Sequence, residues 1–278
     1  MSLGAVARKD FEDAVRSRWL LALSALFVVL VSLAVYLIRP AAGQTAPSNA
    51  VLNYILVKDG LVTTLIPLIA LVVSYSAVVG ERDSGSLKLL LSLPHSRAEV
   101  VFGKVLGRSG AISVPVLVGF LLPGFLLVVV PGVRFLPGYY VGYTLLTALL
   151  AAVFVAIAVG FSAAMSSQRL AVGGAVGIYF LFVPLWGVIQ FPLRLYLGVG
   201  GGPSWLPVSG TGLLNFLQLL NPTGSFKIVV NAFMAGSLFT SAQGVRPVDM
   251  QIAAVVMLVA WLLVPPLLGL WQFERADL

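Results

Sequence analysis

The sequence predicts an all-α integral membrane protein with six transmembrane helices. Hydrophobic residues make up 59% of its 278 residues and charged residues only 10%, whereas a soluble domain carries about 25% charged residues. Uncharged apolar runs of about 20 residues recur along the chain, and each can cross about 30 Å of hydrocarbon. The charged residues collect in short segments between these runs. We therefore expect one membrane domain over residues 1–278.

The chain begins with an amphipathic segment, residues 2–18. Leu3, Ala7 and Phe11 recur on one face, while Arg8 and Lys9 lie on the other. This pattern is typical of a helix that lies in the membrane interface, and a solvated leader helix is the alternative. The predicted spans that follow cover residues 19–38, 61–80, 111–130, 139–164, 170–191 and 252–273.

Prolines are expected to shape the third span and the long outer loop. Pro115 and Pro123 should kink the third span. The loop 192–251 should hold two short apolar helices, joined at a hinge formed by Asn221 and Pro222. At about 8 to 13 residues these helices are too short to span, so we expect re-entrant segments or a cap on the bundle.

The basic residues predict the orientation. Six spans place both termini on one side, and that side, which includes the loop 81–110, carries 11 of the 17 Lys and Arg residues. Because basic residues concentrate in cytoplasmic loops, both termini and the loop 81–110 are expected to be cytoplasmic. The formal charge of +7 is thus explained by membrane orientation, and no nucleic-acid partner is predicted.

The loop 81–110 is the strongest candidate for contact with a soluble partner. Its first part reads as a short amphipathic helix with leucines on one side, which Asp83 or Ser84 could cap at the start and Pro94 could end. The candidate docking residues are Glu81, Arg82, Asp83, Gly85, Ser86, Leu87, Lys88, Leu90, Leu91, Ser92, Pro94 and Arg97.

Several kinds of chemistry are disfavoured. The predicted spans contain no Asp, Glu, Lys, Arg or His, which argues against proton-coupled transport and intramembrane hydrolysis. Gly103 and Lys104 resemble the end of a phosphate-binding P-loop, but Ala98 and Val105 occupy the positions where that motif needs a glycine and a hydroxyl residue. No catalytic, cofactor-binding or metal-binding residue is predicted.

A glycine pair in the fifth span indicates a close helix contact. Gly173 and Gly177 are four residues apart, a spacing that lets two membrane helices approach closely. The partner could be a second copy of the chain or another helix of the same chain.

The charged segment and its surroundings strongly resemble type-2 ABC transporter permeases. The amphipathic start, the six spans and a cytoplasmic loop of the form E-R-x-x-G-S-x-x-L-L-L-S-x-P-x-S-R-x-x-V-x-x-G-K carry the resemblance. The long outer loop with its Asn-Pro is most similar to the NosY-like branch of that family. The matching residues are Glu81, Arg82, Gly85, Ser86, Leu89, Leu90, Leu91, Ser92, Pro94, Ser96, Arg97, Val100, Gly103 and Lys104.

The resemblance implies a set of partners. Two permease copies, identical or different, would pair in a prokaryotic plasma membrane, and each would dock a separate ATP-binding subunit that binds ATP and Mg. The segment 81–93 would be the family's coupling helix, and residues 2–18 its elbow helix. The NosY-like branch adds a link to copper-enzyme maturation. A carrier or channel that works without an ATPase, and a membrane scaffold, are the alternative functions.

Overall fold

A computed structural model describes residues 3–37, 40, 43–53, 60–87, 96–200 and 209–275. Two short segments, β1 (Ala46–Pro47) and β2 (Val133–Arg134), pair as parallel strands. The helices are α1 (Leu3–Val15), α2 (Arg18–Leu37), α3 (Ser48–Leu52), α4 (Leu61–Ser74), α5 (Val79–Asp83), α6 (Arg97–Gly119), α7 (Leu121–Val129), α8 (Pro137–Ala164), α9 (Gln168–Phe182), α10 (Pro184–Gly200), α11 (Gly210–Leu220), α12 (Pro222–Met234) and α13 (Val248–Glu274).

The described ranges agree with a helical, multi-pass membrane protein. They contain five helical stretches long and apolar enough to cross a membrane, and a sixth when the bent pair α9 and α10 is counted as one span. Three of the predicted spans match single helices closely, because α2, α8 and α13 each consist of one long apolar run.

Helix α8 forms the centre of the core. Its second half is buried almost without interruption, and it packs against α4, α6, α12 and α13. Gly160 of α8 and Gly269 of α13 face each other so closely that a Cβ on either would overlap the other helix's backbone. Side chains cannot fit between the helices at this crossing, so only glycine permits it.

The third span begins earlier than predicted. Helix α6 begins at Arg97, so the residues 97–110 that were assigned to the loop belong to the membrane helix. A reciprocal capping box fixes this start, because Ser96 Oγ accepts the Glu99 N–H (3.1 Å) and Glu99 accepts the Ser96 N–H (2.9 Å). The helix breaks at Phe120, three residues before Pro123, whereas Pro115 lies inside α6.

The second and fifth spans are interrupted. The second consists of α4 and α5 with turns at 75–78 between them, and Ser84 caps the end of α5 rather than starting a helix. The fifth bends by 40° between α9 and α10. The break lies at Val183, because Pro184 disfavours the helical conformation of the residue before it. Since α10 runs to Gly200, residues 192–200 are helical, not part of the predicted outer loop.

Both ends of the described chain lie at one end of the bundle. Lys9 of α1 approaches Glu81, and the Phe273 carbonyl near the end of α13 accepts a hydrogen bond from Arg97. We call this end, which holds α1, α5 and the start of α6, the charged end. The opposite end holds the strand pair, α11 and α12.

Candidate functional site

The first helix is held against α6 by a track of glycines. A Cβ added at Gly103 would lie 2.8 Å from the Val6 side chain, and one at Gly107 would lie 2.5 Å from the Ala7 carbonyl oxygen. Because these glycines lie four residues apart, they form one groove along α6. The apolar face of α1 is therefore packed on the chain's own third span, and the predicted place of this helix in the membrane interface stays a prediction.

Two opposite charges are buried beneath this contact. Asp10 of α1 is 4% exposed and Lys104 of α6 is 2% exposed. Lys104 Nζ lies 3.1 Å from Asp10 Oδ1, and Arg108 Nε lies 3.1 Å from Asp10 Oδ2. A buried charge is tolerated when it is paired and hydrogen-bonded, as it is here.

The same network extends to α4 and α5. Lys104 Nζ also lies 2.9 Å from Glu81 Oε1, and Lys9 Nζ lies 3.6 Å from that atom. Arg108 donates a further hydrogen bond to the Val73 carbonyl near the end of α4. We call Asp10, Glu81, Lys104 and Arg108 the charge clamp. It contains two carboxylates and two cations, and it joins α1, α4, α5 and α6.

A second set of contacts ties the last helix and the α8–α9 turn to the same end. Arg82 donates to the Met165 carbonyl (3.0 Å), and its guanidinium lies 5.6 Å from the centre of the Phe273 ring. Arg97 lies 5.1 Å from the same ring centre and also donates to the Phe273 carbonyl. Asp83 Oδ2 accepts the Gln168 N–H at 3.1 Å, at the start of α9.

These contacts change the interpretation of the candidate docking residues. Glu81 forms ion pairs within the chain, and Arg82 and Arg97 each donate to a carbonyl of the chain. Leu87 is 1% exposed and belongs to the chain's own core. Its side chain is thus covered by the chain itself in this conformation, and its contribution to a docking surface stays a prediction.

Among the described residues of the candidate segment, the exposed part is short. Residues 83–85 are exposed and Ser86 is half-buried, and the hydroxyls of Ser84 and Ser86 lie 2.9 Å apart. Gly85 adopts a left-handed backbone (φ +74°) with open space where a Cβ would point. The candidates Lys88, Leu90, Leu91, Ser92 and Pro94 lie outside the described residues.

Sequence reasoning missed Asp10 and the roles of Lys104 and Arg108. Lys104 drew attention as part of a false P-loop and of the family motif, and Arg108 only as one of the basic residues of the loop 81–110. Two signals were present. Lys104 and Arg108 are one helical turn apart, each directly after a glycine, and Asp10 lies among the apolar positions of α1.

The remaining glycine candidates point away from the chain. Gly173 and Gly177 are exposed, and a Cβ on either would meet nothing within 4 Å. The neighbouring Gly174 makes the contact within the chain instead, because a Cβ there would overlap the Phe161 ring. Among the described residues, then, packing within the chain does not explain the Gly173–Gly177 pair.

The predicted hinge, Asn221 and Pro222, forms a hydrogen-bonded junction at the opposite end. Asn221 is 1% exposed and caps α12, since its Oδ1 accepts the N–H groups of Thr223 (2.7 Å) and Gly224 (3.2 Å). Its Nδ2 donates to the Phe182 carbonyl at 2.8 Å, next to the break in the fifth span. Pro222 is the first residue of α12, where its missing N–H costs nothing.

In the described ranges, no three His, Cys, Asp or Glu side chains come together in a way that could hold a metal ion. At the charged end, the described residues of the charge clamp pair with one another.

Comparisons with known proteins identify the family. Residues 4–278 match the family described as ABC-2 family transporter protein. The chain is 34% identical to a probable ABC transporter permease protein NosY of Stutzerimonas stutzeri, over 97% of each chain. It is also 34% identical to a protein with the same name from Pseudomonas aeruginosa, over 92% of this chain and 90% of the other. These matches confirm the resemblance seen in the charged segment: the chain belongs to the ABC-2 family of transporter proteins and is a NosY-like permease.

Proposed function

We propose that this permease docks a separate ATP-binding subunit at its charged end. The observation that carries the proposal is the charge clamp, which joins α1, α4, α5 and α6 directly beside the exposed strip 83–85. A partner that contacts this strip would act on all four helices together. ATP and Mg would bind to that partner, whereas this chain would supply the membrane path.

Movement of the strip would spread to most of the bundle. Arg82 and Asp83 connect it to the α8–α9 turn, and Arg97 connects the start of α6 to α13. We therefore expect closure of the ATP-binding subunits to tilt the second and third spans and to open the bundle outward, which corresponds to export. The third span can bend at its break at Phe120 when it tilts.

A second permease copy, identical or related, would complete the transporter. The exposed Gly173–Gly177 face supports this proposal, since two helices can approach closely over paired glycines.

With 11 of 17 basic residues on the side that holds both termini, we propose that the charged end is cytoplasmic, in the plasma membrane of a prokaryote. Copper-enzyme maturation, implied by the NosY-like branch, is the pathway we would test first.

A matched pair of glycine substitutions tests the docking proposal. Gly85 and Gly244 both have a left-handed backbone (φ +74° and +76°) and open space at the Cβ position, but they lie at opposite ends of the bundle. A valine at either strains the backbone by roughly 1–2 kcal/mol. We expect Gly85→Val to reduce the amount of ATP-binding subunit that co-purifies from native membranes by at least about tenfold. The ATP turnover of the eluate should fall with it.

The Gly244→Val variant should retain both the partner and the turnover. Equal amounts of membrane-inserted chain in the two variants exclude a folding defect as the cause. If the unaltered chain elutes without an ATP-binding subunit and without turnover, the docking proposal fails, and a carrier, channel or scaffold takes its place.

A further inference from the structure

A groove of about 510 Å³ lies between α2, α4 and α9. Its walls include Trp19 of α2, Leu68 and Tyr75 at the end of α4, and Val172 and Phe180 of α9. Trp19 is 69% exposed and Phe180 is 49% exposed, so the groove is open to the surroundings of the chain. Its volume falls within the range of about 300–1,000 Å³ that ligand sites have.

The groove lies in the half of the membrane that is next to the charged end. Its walls run from Tyr75 back to Leu68 and from Val172 to Phe180, about 10–12 Å along each helix at about 1.5 Å per residue. Half of the hydrocarbon layer is about 15 Å thick, so the groove fits within one leaflet. Tyr75 and Val172 form its end at the charged side, because α4 leads into α5 there and α9 begins beside Asp83.

Two arginines lie at this end of the groove. Arg169 shares one face of α9 with Val172 and Val176, because residues three and four apart on a helix are neighbours. It lies almost one turn closer to the charged end than Val172. Arg18 is the first residue of α2, directly before Trp19. Both arginines are exposed, and neither forms an ion pair with the described residues.

This arrangement has the chemistry of an anionic phospholipid. Trp and Tyr residues are typical of the boundary between hydrocarbon and headgroups, which is where Trp19 and Tyr75 lie. Basic residues at that boundary attract anionic headgroups. A second copy of the chain would use a different face, since Gly173 and Gly177 each follow a groove residue by one position, about 100° around the helix.

We propose that the groove binds an acyl chain of an anionic phospholipid, whose phosphate pairs with Arg169 and Arg18. The headgroup and the chain meet the same side of the protein, because Arg169 continues the stripe of α9 that forms one wall of the groove. The lipid comes from the leaflet at the charged end, and it contacts the first, second and fifth spans together. This site requires only the membrane, so it stands independently of the ATP-binding subunit.

Lipid titration of the full chain in detergent, followed by native mass spectrometry, tests the site. The probe is phosphatidylglycerol, and phosphatidylcholine with the same acyl chains is the comparison without net charge. A basic residue near an anionic headgroup contributes about fivefold in binding. We therefore expect Arg169→Gln to weaken phosphatidylglycerol binding about fivefold and to leave phosphatidylcholine binding nearly unchanged. Val176 is 50% exposed, so Val176→Trp should fill the groove and weaken the binding of both lipids.

The matched controls lie in the other half of the fifth span. Arg194 is exposed and Val188 is 64% exposed, and neither lines the groove. Arg194→Gln and Val188→Trp should therefore bind both lipids as the unaltered chain does.

The proposal is overturned if the controls lose as much binding as the groove variants, or if the unaltered chain does not prefer phosphatidylglycerol. Displacement of the lipid by inorganic phosphate at equal concentration would instead indicate a site for a free anion. A change of oligomeric state in Val176→Trp with unchanged lipid binding would assign the groove to a second copy.

Discussion

Replacement of Asp10 by Asn is expected to release α1 from the bundle. The substitution keeps the shape of the side chain but removes the negative charge that faces Lys104 and Arg108. Lys104 is 2% exposed, so water cannot replace the lost partner. Breaking one side of a buried ion pair costs about 3–5 kcal/mol. Since Lys104 keeps Glu81 and Arg108 keeps the Val73 carbonyl, we expect the lower end of that range.

Hydrogen exchange measures this release directly. A loss of about 3 kcal/mol corresponds to roughly a 100-fold faster exchange of the α1 amides, because each 1.4 kcal/mol is a factor of ten. Asp13→Asn is the matched control on the same helix, since Asp13 is exposed and makes no ion pair with the described residues. Unchanged exchange in Asp10→Asn would show that the glycine track alone holds α1.

A single methyl group at Gly160 is expected to disrupt the core. A Cβ at this position overlaps the Pro265 carbonyl of α13, and the backbone of Gly269 lies opposite. Neither helix can yield by rotating a side chain, because the contact is between backbones. Overpacking in a core typically costs about 1–3 kcal/mol, and we expect Gly160→Ala to cost about 3 kcal/mol.

The control for this substitution lies on the same helix. Gly138 is near the start of α8 with nothing within 4 Å of its Cβ position, so Gly138→Ala should be neutral or slightly stabilising. Thermal unfolding followed by size-exclusion chromatography compares the two variants. Equal stability would mean that α8 and α13 do not cross at these glycines.

The spans were predictable because their signal is local. Length and the absence of charge define a membrane helix, so α2, α8 and α13 end within a few residues of their predicted limits. The early start of α6 was also encoded locally, in the Ser96–Glu99 capping pair. The break before Pro184 was encoded in the same way, although both signals were overlooked.

The charge clamp could not be predicted in the same way. Asp10 and Lys104 are 94 residues apart in the chain, and nothing in their local patterns names the partner. Helical periodicity places Asp10 among the apolar positions of α1 but does not identify the two cations of α6 that meet its buried carboxylate. Only the packing of α1 into the groove at Gly103 and Gly107 brings these charges together.

Cross-linking from a single cysteine tests docking at the charged end most directly. The chain contains no cysteine, so Ser84→Cys in the exposed strip and Ser241→Cys at the opposite end each provide one reactive position. With a short thiol-to-amine cross-linker in native membranes, we expect Ser84→Cys to link to the ATP-binding subunit and Ser241→Cys not to. A link from Ser241→Cys, or none from Ser84→Cys while the subunit co-purifies, would contradict docking at the charged end.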